Sequence, residues 1–327
     1  MTDPAPGRGS LRSRGAVLVS TLTLRQVSAV LPPERAWGLF LSRRILAGVM
    51  DAFGPPLTGA RAEKVDGVLP DGRRVVGEWV RAPGVETTDS AIYFVHGSGY
   101  ALCSPRTHRR LTSWLSRLTG LPVFVIDYRL APRHRFPAAA DDVRAGWDWL
   151  TGHVPPERIV VAGDSAGGHL TVDLLLQTDI VTKPAALVLF SPLIDLTLGL
   201  ARAREALRRD PAIRVADAGR LLKLYTRGVD PAHQRLTLDV AGGPALPPTL
   251  IQAGGAEMLL GDARRLAADI RIGGGRCELQ VWPDQVHVFQ ALPRLSPEAA
   301  KAMAQAARFI TTSLRASGFD AVAGKAG

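Results

Sequence analysis

A serine inside a glycine-rich heptapeptide is the first candidate for chemistry in this chain. Residues 163–169 read G-D-S-A-G-G-H, between the apolar run R-I-V-V at 158–161 and a helix-like segment at 170–177. A serine hydroxyl attacks carbonyl groups at neutral pH only when a base and oxyanion donors lie beside it. In a G-x-S-x-G elbow, small residues such as Gly163 and Gly167 let neighbouring backbone pack against a strained turn between strand and helix. The pattern therefore predicts Ser165 as a nucleophile.

A second glycine-rich stretch provides candidate oxyanion donors. Residues 96–100 read H-G-S-G-Y and directly follow an apolar, strand-like run at 91–95. A turn of this kind at a strand end exposes backbone N–H groups, which are the donors that a tetrahedral oxyanion needs. We expect the N–H groups of Ser98, Gly99 and Ala166 to form an oxyanion hole, with Gly97 supplying the turn.

Composition limits the remaining classes of function. The 327 residues are 46% hydrophobic and 21% charged, which is typical of a globular protein with one large α/β domain or two modest ones. The net charge of +10 raises the question of nucleic acid, but the arginines are scattered and do not alternate with aromatic residues, so we expect no nucleic-acid partner. Two cysteines are too few for a disulfide framework. No phosphate loop, dinucleotide fingerprint or histidine spacing typical of a metal site is present, so no cofactor or metal is expected.

The pattern of the elements that must position these residues predicts an α/β fold. Three strand patterns at 62–69, 74–81 and 91–96 predict an antiparallel start, with a hairpin turn at Asp71 and Gly72. Strand and helix patterns then alternate, which predicts a parallel sheet. Its strands are expected at 123–128, 159–162, 186–191, 249–254 and 278–282, with helices at 108–118, 141–150, 262–270 and 296–314.

Two further segments are expected to cover the site. Residues 1–10 are small and polar and should be disordered, and two helical patterns between 16 and 50 are separated by Pro32 and Pro33. Between 195 and 246 a polar, arginine-rich stretch without a strand interrupts the alternation, above the sheet edge where open α/β folds bind ligands. We therefore divide the chain into a tail with cap helices (1–55) and a catalytic domain (56–327) with a second cap segment at about 197–240. One hypothesis is that the arginines at 201–209 attract anionic substrates or a membrane surface.

The ordered motifs resemble those of the hormone-sensitive-lipase-like family of α/β-hydrolases, the bacterial carboxylesterase group with H-G-G-G and G-D-S-A-G-G. Further matches are Y-R-L-A-P at 128–132, F-P-A-A-A-D-D at 136–142 and S-P-L-I-D at 191–195, so the resemblance runs from about residue 60 to the C-terminus. It implies an α/β-hydrolase fold, with a mostly parallel eight-stranded sheet flanked by helices and a helical cap. It also implies hydrolysis of short to medium acyl esters. Three positions depart from the pattern: Ser98 and Cys103 replace glycine, and Arg133 replaces glutamate. For Cys103, a pocket-lining and a buried structural role both stay open.

The general base is expected near the C-terminus, because the triad of this fold follows the order serine, acid, histidine. His96 belongs to the oxyanion turn, and the other histidines before residue 250 precede the expected acid. His287 remains, in W-P-D-Q-V-H-V-F at 282–289, which resembles the family's loop histidine before an aromatic residue.

Three carboxylates compete for the acid of the triad: Glu257, Asp262 and Asp284. The resemblance aligns A-G-G-A-E-M-L-L-G-D at 253–262 with the family's G-x-x-D-P-L pattern and so implies Glu257. Asp262 fits better as a residue that opens the next helix, where a carboxylate complements the helix dipole. Asp164 is expected to stabilise the elbow by hydrogen bonds.

These observations predict a serine carboxylesterase that acts through an acyl-enzyme and takes a small-molecule ester. A dedicated deacetylase or amidase of a natural product or xenobiotic on the same triad is the alternative, and a non-catalytic small-molecule receptor is a more remote one. We expect a cytoplasmic protein, with secretion, peripheral membrane contact and a homodimer left open.

Overall fold

A computed structural model describes residues 7–86 and 89–323 of the chain. Eight strands alternate with helices along most of it. The third to seventh strands along the chain are buried throughout, as strands covered on both faces of a sheet must be, whereas the first is mostly exposed. The strands are β1 (Arg61–Val68), β2 (Arg74–Arg81), β3 (Ala91–Val95), β4 (Val123–Ile126), β5 (Ile159–Asp164), β6 (Ala186–Phe190), β7 (Thr249–Gly254) and β8 (Cys277–Trp282).

Ten α-helices are present in the described part of the chain, and none of them is both long and apolar enough to cross a membrane. The helices at the N-terminus are α1 (Leu11–Leu22), α2 (Leu24–Val30) and α3 (Ala36–Phe53). Those between strands and at the end of the chain are α4 (Pro105–Thr119), α5 (Ala138–Thr151), α6 (Ala166–Leu176), α7 (Gly199–Leu207), α8 (Val215–Thr226), α9 (Leu260–Ile272) and α10 (Glu298–Ala323).

The strands form one sheet in the order β1-β2-β4-β3-β5-β6-β7-β8. The hairpin at Asp71 and Gly72 is confirmed, since β1 pairs antiparallel with β2 and Gly72 has a φ of 87°. The expected antiparallel start is wrong for β3, which pairs in parallel with β4 and β5. The third member of the antiparallel part is instead β4, which pairs antiparallel with β2 and parallel with β3 and so lies between them. The sheet is therefore mostly parallel, as predicted.

Helices pack on both faces of the sheet, and β3 shows how the sequence produces two cores. Alternate side chains of a strand point to opposite faces. Tyr93 and Val95 belong to the core that contains α5 and α6, whereas Ile92 and Phe94 belong to the core that contains α4 and α10. The result is a three-layer α/β/α arrangement that holds the carboxyl ends of the parallel strands rigidly at one edge.

The N-terminal segment is more ordered than the sequence predicts. Residues 1–6 lie outside the described residues, but the expected disorder is wrong for 7–10: the N–H of Gly9 donates to Asp284 Oδ2 at 3.0 Å, and that of Ser10 to Glu298 Oε1 at 2.6 Å. The first helical pattern also divides into two helices, with a break at Thr23. Residues 9 and 10 are thus tied to the loop after β8 and to α10, because carboxylates distant in the chain satisfy their backbone donors.

Candidate active site

Ser165, His287 and Glu257 form a continuous hydrogen-bonded chain. His287 Nε2 lies 3.0 Å from Ser165 Oγ, and His287 Nδ1 lies 2.8 Å from Glu257 Oε2. A carboxylate can only accept a hydrogen bond, so Nδ1 carries the proton and Nε2 is free to accept one from the serine hydroxyl. This is the tautomer that a general base needs.

The sharp turn that presents Ser165 is strained. Ser165 lies between the end of β5 and the start of α6 with a φ of 51° and a ψ of −121°, a backbone conformation that residues other than glycine rarely adopt. A Cβ on Gly167 would lie 2.0 Å from the carbonyl oxygen of Val95, and one on Gly163 would lie 2.9 Å from the backbone of Gly167. The predicted elbow is present, and its glycines are required by close backbone contact.

The three candidate acids have different partners in the structure. Glu257 is fully buried in the loop after β7 and also accepts the N–H of Gly254 at 2.9 Å. Asp262 lies in α9, where its Oδ1 accepts the backbone N–H groups of Ile194 and Asp195 at 2.9 and 2.8 Å. Asp284 instead pairs with Arg208 at 3.1 Å. Only Glu257 is hydrogen-bonded to His287 among these three residues.

Burial and the neighbouring negative charges have opposite effects on the pKa of His287. Desolvation lowers the pKa of His287, but the hydrogen bond and charge of Glu257, with the charges of Asp210 and Asp164, outweigh it and leave the pKa raised. Burial raises the pKa of Glu257, and the bond from His287 opposes that effect. Fixed negative charge around the imidazole favours the imidazolium, which is the form a base acquires when it takes a proton.

The candidate oxyanion turn, residues 96–100, lies beside Ser165 in an unusual backbone conformation. Ser98 and Gly99 line the cavity next to Ser165 and both have positive φ, 82° and 59°. The N–H of Gly97 is occupied by Asp164 Oδ1 at 3.1 Å, which supports its role in the turn. Within the described ranges, no acceptor takes the N–H groups of Ser98, Gly99 or Ala166. Ala166 begins α6, so its donor lies at the positive end of a helix.

His108 is a residue of the site that the sequence analysis missed. Its Nε2 lies 3.1 Å from Asp164 Oδ1, the same oxygen that accepts from Gly97, and its side chain is buried against the cavity. Asp164 therefore joins the elbow to the oxyanion turn and to α4, as a structural residue. Local spacing gave no signal for His108, because its partner lies 56 positions further along the chain.

Cys103 is a buried thiol beneath the oxyanion turn. Its Sγ lies 2.8 Å from Ser98 Oγ, and desolvation raises its pKa to about 11. A thiol with so high a pKa carries little thiolate at neutral pH and is a poor nucleophile. Of the two roles left open by the sequence, these contacts support the structural one.

A largely apolar cavity of about 310 Å³ opens onto Ser165 and His287. Its walls come from the N-terminal helices, from α8 and from the two loops that carry Glu257 and His287. The lining residues include Leu24, Val27, Ile45 and Leu46 of the N-terminal helices, Leu221 of α8 and Met258 beside Glu257. A volume of this size is typical of a site for a small organic ligand.

The arginines at 201–209 do not line this cavity, within the part of the chain that the structure describes. Arg202 donates to the carbonyl of Thr197 at 2.7 Å, and Arg204 to that of Gly255 at 2.8 Å. These contacts favour a structural role for the arginines over the hypothesis that they attract anionic substrates.

The chain belongs to the α/β-hydrolase family, whose model matches residues 92–291. Among its relatives, the carboxylesterase/phospholipase LipF of Mycobacterium tuberculosis is 37% identical over 249 residues, covering 71% of this chain and 65% of LipF. The match thus spans slightly less than two thirds of LipF. Esterase LipU of the same organism is 37% identical over 243 residues, covering 71% of this chain and 82% of LipU. An acetyl-hydrolase of Streptomyces hygroscopicus is 36% identical, covering 72% of this chain and 79% of that protein.

Solved structures place the chain on the hormone-sensitive-lipase branch of that family. A bacterial esterase of the hormone-sensitive lipase family superimposes with a TM-score of 0.81 at 31% identity, covering 94% of this chain and all of the other. Esterase EstE5 has a TM-score of 0.80 at 28% identity, covering 94% of this chain and all of its own. The fold and family predicted from the motifs are confirmed.

Proposed function

We propose that the protein is a serine carboxylesterase. Ser165 Oγ attacks the ester carbonyl carbon while His287 Nε2 takes the hydroxyl proton. The N–H groups of Ser98, Gly99 and Ala166 stabilise the oxyanion. The intermediate collapses, the C–O bond breaks, and His287 returns the proton to the leaving alcohol. A water then attacks the acyl-serine by the same route and releases the carboxylic acid and free Ser165.

The single observation that carries this proposal is the hydrogen-bonded chain from Ser165 through His287 to Glu257. It has the order and the tautomer that acyl transfer requires. The names of the relatives support the reaction, since LipF, LipU and the Streptomyces protein are named as a carboxylesterase/phospholipase, an esterase and an acetyl-hydrolase. A complete triad also argues against the receptor alternative, because a binding protein needs no general base.

Hydrolysis of p-nitrophenyl esters from acetate to palmitate by the wild type and by Ser165→Ala tests the proposal. We expect turnover of short to medium chains by the wild type and background rates for the variant. Equal rates for both proteins would exclude Ser165 as the nucleophile, and no turnover of any ester would reject a general esterase.

The same series separates the dedicated deacetylase from the general esterase. The acetyl-hydrolase among the relatives favours a small acyl group. The cavity of about 310 Å³ favours a longer one, because an acetyl group would leave most of its apolar wall in contact with water. We expect a rate maximum above acetate; an optimum at acetate, or faster cleavage of the matched anilides, would favour the deacetylase or amidase.

A peripheral membrane contact is the second part of the proposal. Leu18 and Leu22 on α1 are 61% and 67% exposed, and Trp37 and Phe40 on α3 are 54% and 58% exposed. The guanidinium of Arg44 lies 5.8 Å from the ring of Phe40. Exposed apolar side chains flanked by arginine are typical of surfaces that contact anionic lipid. LipF is named a carboxylesterase/phospholipase, and phospholipids are components of membranes, so this name also supports a membrane contact.

Co-sedimentation with phosphatidylglycerol vesicles tests this contact, with phosphatidylcholine vesicles as the control. We expect binding to the anionic vesicles that is lost in Trp37→Ser/Phe40→Ser, while hydrolysis of soluble p-nitrophenyl acetate persists. Equal sedimentation of variant and wild type would reject this surface. A cytoplasmic location stays a prediction that cell fractionation would test.

The edge strand β8 bears on the possible homodimer. It ends the sheet, and its six residues are only partly buried. An unpaired edge can accept a strand from a second copy. The molar mass of the wild type and of a β8 proline variant, Leu279→Pro or Val281→Pro, measured by light scattering, would test a dimer through this edge. A wild-type dimer that the variant does not form would support pairing through β8, and a monomeric wild type would reject it.

A further inference from the structure

The cap insertion, residues 197–240, contacts both loops that carry the base and the acid. The acid loop, residues 254–258, is contacted by Arg204, whose Nη2 donates to the carbonyl of Gly255 at 2.8 Å. The histidine loop, residues 283–288, is contacted by Arg208, which lies 3.1 Å from Asp284 Oδ1. Two arginines of the stretch thus attach the cap insertion to these loops.

The most deeply buried of these attachments is the carboxylate of Asp210. It has no exposed surface, and its Oδ2 accepts the N–H of Met258 at 2.7 Å. Its Oδ1 accepts the N–H groups of Ala212 and Ile213 at 2.7 and 2.9 Å. Among the described residues, no basic side chain forms an ion pair with this carboxylate. A buried carboxylate balanced only by backbone N–H groups is costly, so its presence here calls for a role.

Met258 is the residue directly after Glu257, so its peptide N–H belongs to the acid loop. The rest of that loop is bonded to the end of β8 and to the histidine loop: the N–H of Gly255 donates to the carbonyl of Trp282 at 2.7 Å, and that of Ala256 to the carbonyl of Gln285 at 3.0 Å. Asp210 therefore adds a contact from the cap insertion at the peptide that follows Glu257. Without it, the peptide next to Glu257 would have no partner in the cap.

Arg25 of α2 extends the same connection to the N-terminal helices. Its Nη1 donates to the carbonyls of Asp210 and Ile213 at 2.6 and 3.1 Å, and its Nη2 lies 2.9 Å from Glu205 Oε1. Both cap segments thus converge on the backbone that holds the Asp210 carboxylate.

We propose that Asp210 is a positioning residue of this active site: it anchors the acid loop through Met258 and so makes the geometry of the triad depend on the closed cap. The inference rests on the proposed esterase function. Asp210 contacts no reacting atom; it acts through the position of Glu257 and through its charge near His287. The cap is accordingly a structural part of the catalytic site as well as the wall of its cavity.

The test compares Asp210→Asn with Asp230→Asn, using p-nitrophenyl butyrate. Asp230 is an exposed carboxylate of the same insertion; among the residues that the structure describes, its side chain accepts only the N–H of Ala232, at 2.9 Å, and contacts neither catalytic loop. We expect Asp210→Asn to lower kcat about 10- to 100-fold, since a small displacement of a catalytic group costs about that much, with KM changed less than about 2-fold. Asp230→Asn should match the wild type.

Two readouts separate positioning from a general loss of structure. His287 faces the side chains of Ser165 and Glu257, with Asp164 and Asp210 as the further charges near it. The acid limb of kcat/KM should move to lower pH in Asp210→Asn, because a negative charge that favours the imidazolium is gone. A double-mutant cycle should show a smaller effect of Asp210→Asn on the Glu257→Gln background than on the wild type.

An unchanged kcat, an unmoved acid limb or a fully additive cycle would each overturn the inference while leaving the esterase function intact. An inactive wild type would instead reject the proposed function. If Asp210→Asn does not fold, Arg25→Met serves as the second variant, because it removes the guanidinium that holds the same backbone and leaves the Asp210 carboxylate in place. It should lower kcat in the same direction, and a wild-type kcat there would equally overturn the inference.

Discussion

The carboxylate of Glu257 lies 2.8 Å from Nδ1 of His287, although 30 residues separate the two in the chain. The loops after β7 and β8 bring them together, because parallel neighbours place their carboxyl ends at one edge of the sheet. Within the proposed triad, this contact distinguishes Glu257 from Asp262, which lies five residues further on.

This contact predicts opposite outcomes for two carboxylate-to-amide changes. Glu257→Gln should lower kcat by about 10²- to 10⁴-fold, because the amide no longer favours the required tautomer or stabilises the imidazolium. Asp262→Asn should keep kcat within about 3-fold of the wild type, since one amide oxygen can still accept the N–H groups of Ile194 and Asp195. Steady-state kinetics on p-nitrophenyl butyrate would measure both, and the reverse result would assign the acid to Asp262.

The pH dependence follows from the charges around His287. The carboxylates of Glu257, Asp210 and Asp164 together outweigh desolvation and raise its pKa above the ordinary value of 6.5. A general base works only when unprotonated, so kcat/KM should fall as the pH drops through this raised pKa, with a midpoint above 6.5. A pH profile with an acid limb centred below that value would show that desolvation dominates instead.

Two glycine-to-alanine changes test the packing of the elbow. A Cβ on Gly167 would lie 2.0 Å from the carbonyl oxygen of Val95, whereas one on Gly48 of α3 meets no atom within 4 Å. Gly167→Ala should lower the free energy of unfolding by about 1–3 kcal/mol, as overpacking does. Gly48→Ala should raise it by up to about 1 kcal/mol, because alanine is the better helix former. Denaturant titration of both would reject this account if the two changes had the same effect.

The cavity wall predicts a change of acyl-chain preference. Leu46 of α3 lines the cavity, and Leu41 of the same helix is 39% exposed and does not line it. Leu46→Trp should lower kcat/KM for octanoate by about 10-fold or more relative to acetate, because the larger side chain removes space for the chain. Leu41→Trp is the matched control. Equal chain-length profiles for both variants would place the acyl chain elsewhere.

Sequence patterns predicted the strands and the elbow well, because both depend on local periodicity and on glycines that close contacts require. They misplaced β3, since the order of strands in a sheet depends on crossovers between distant segments. They missed Asp210 for a related reason: its partner Met258 lies 48 positions away, and a carboxylate in an arginine-rich stretch looks solvated. They also missed His108, which reaches Asp164 only after α4 packs on the sheet.

Covalent labelling with diethyl p-nitrophenyl phosphate tests the central claim most directly. The reagent phosphorylates a serine that an adjacent base activates and releases p-nitrophenolate. We expect one p-nitrophenolate per chain, with the diethylphosphoryl group on the peptide that contains Ser165, and no release from Ser165→Ala or His287→Ala. Stoichiometric labelling at another residue, or unlabelled Ser165 in a protein that hydrolyses esters, would contradict the account.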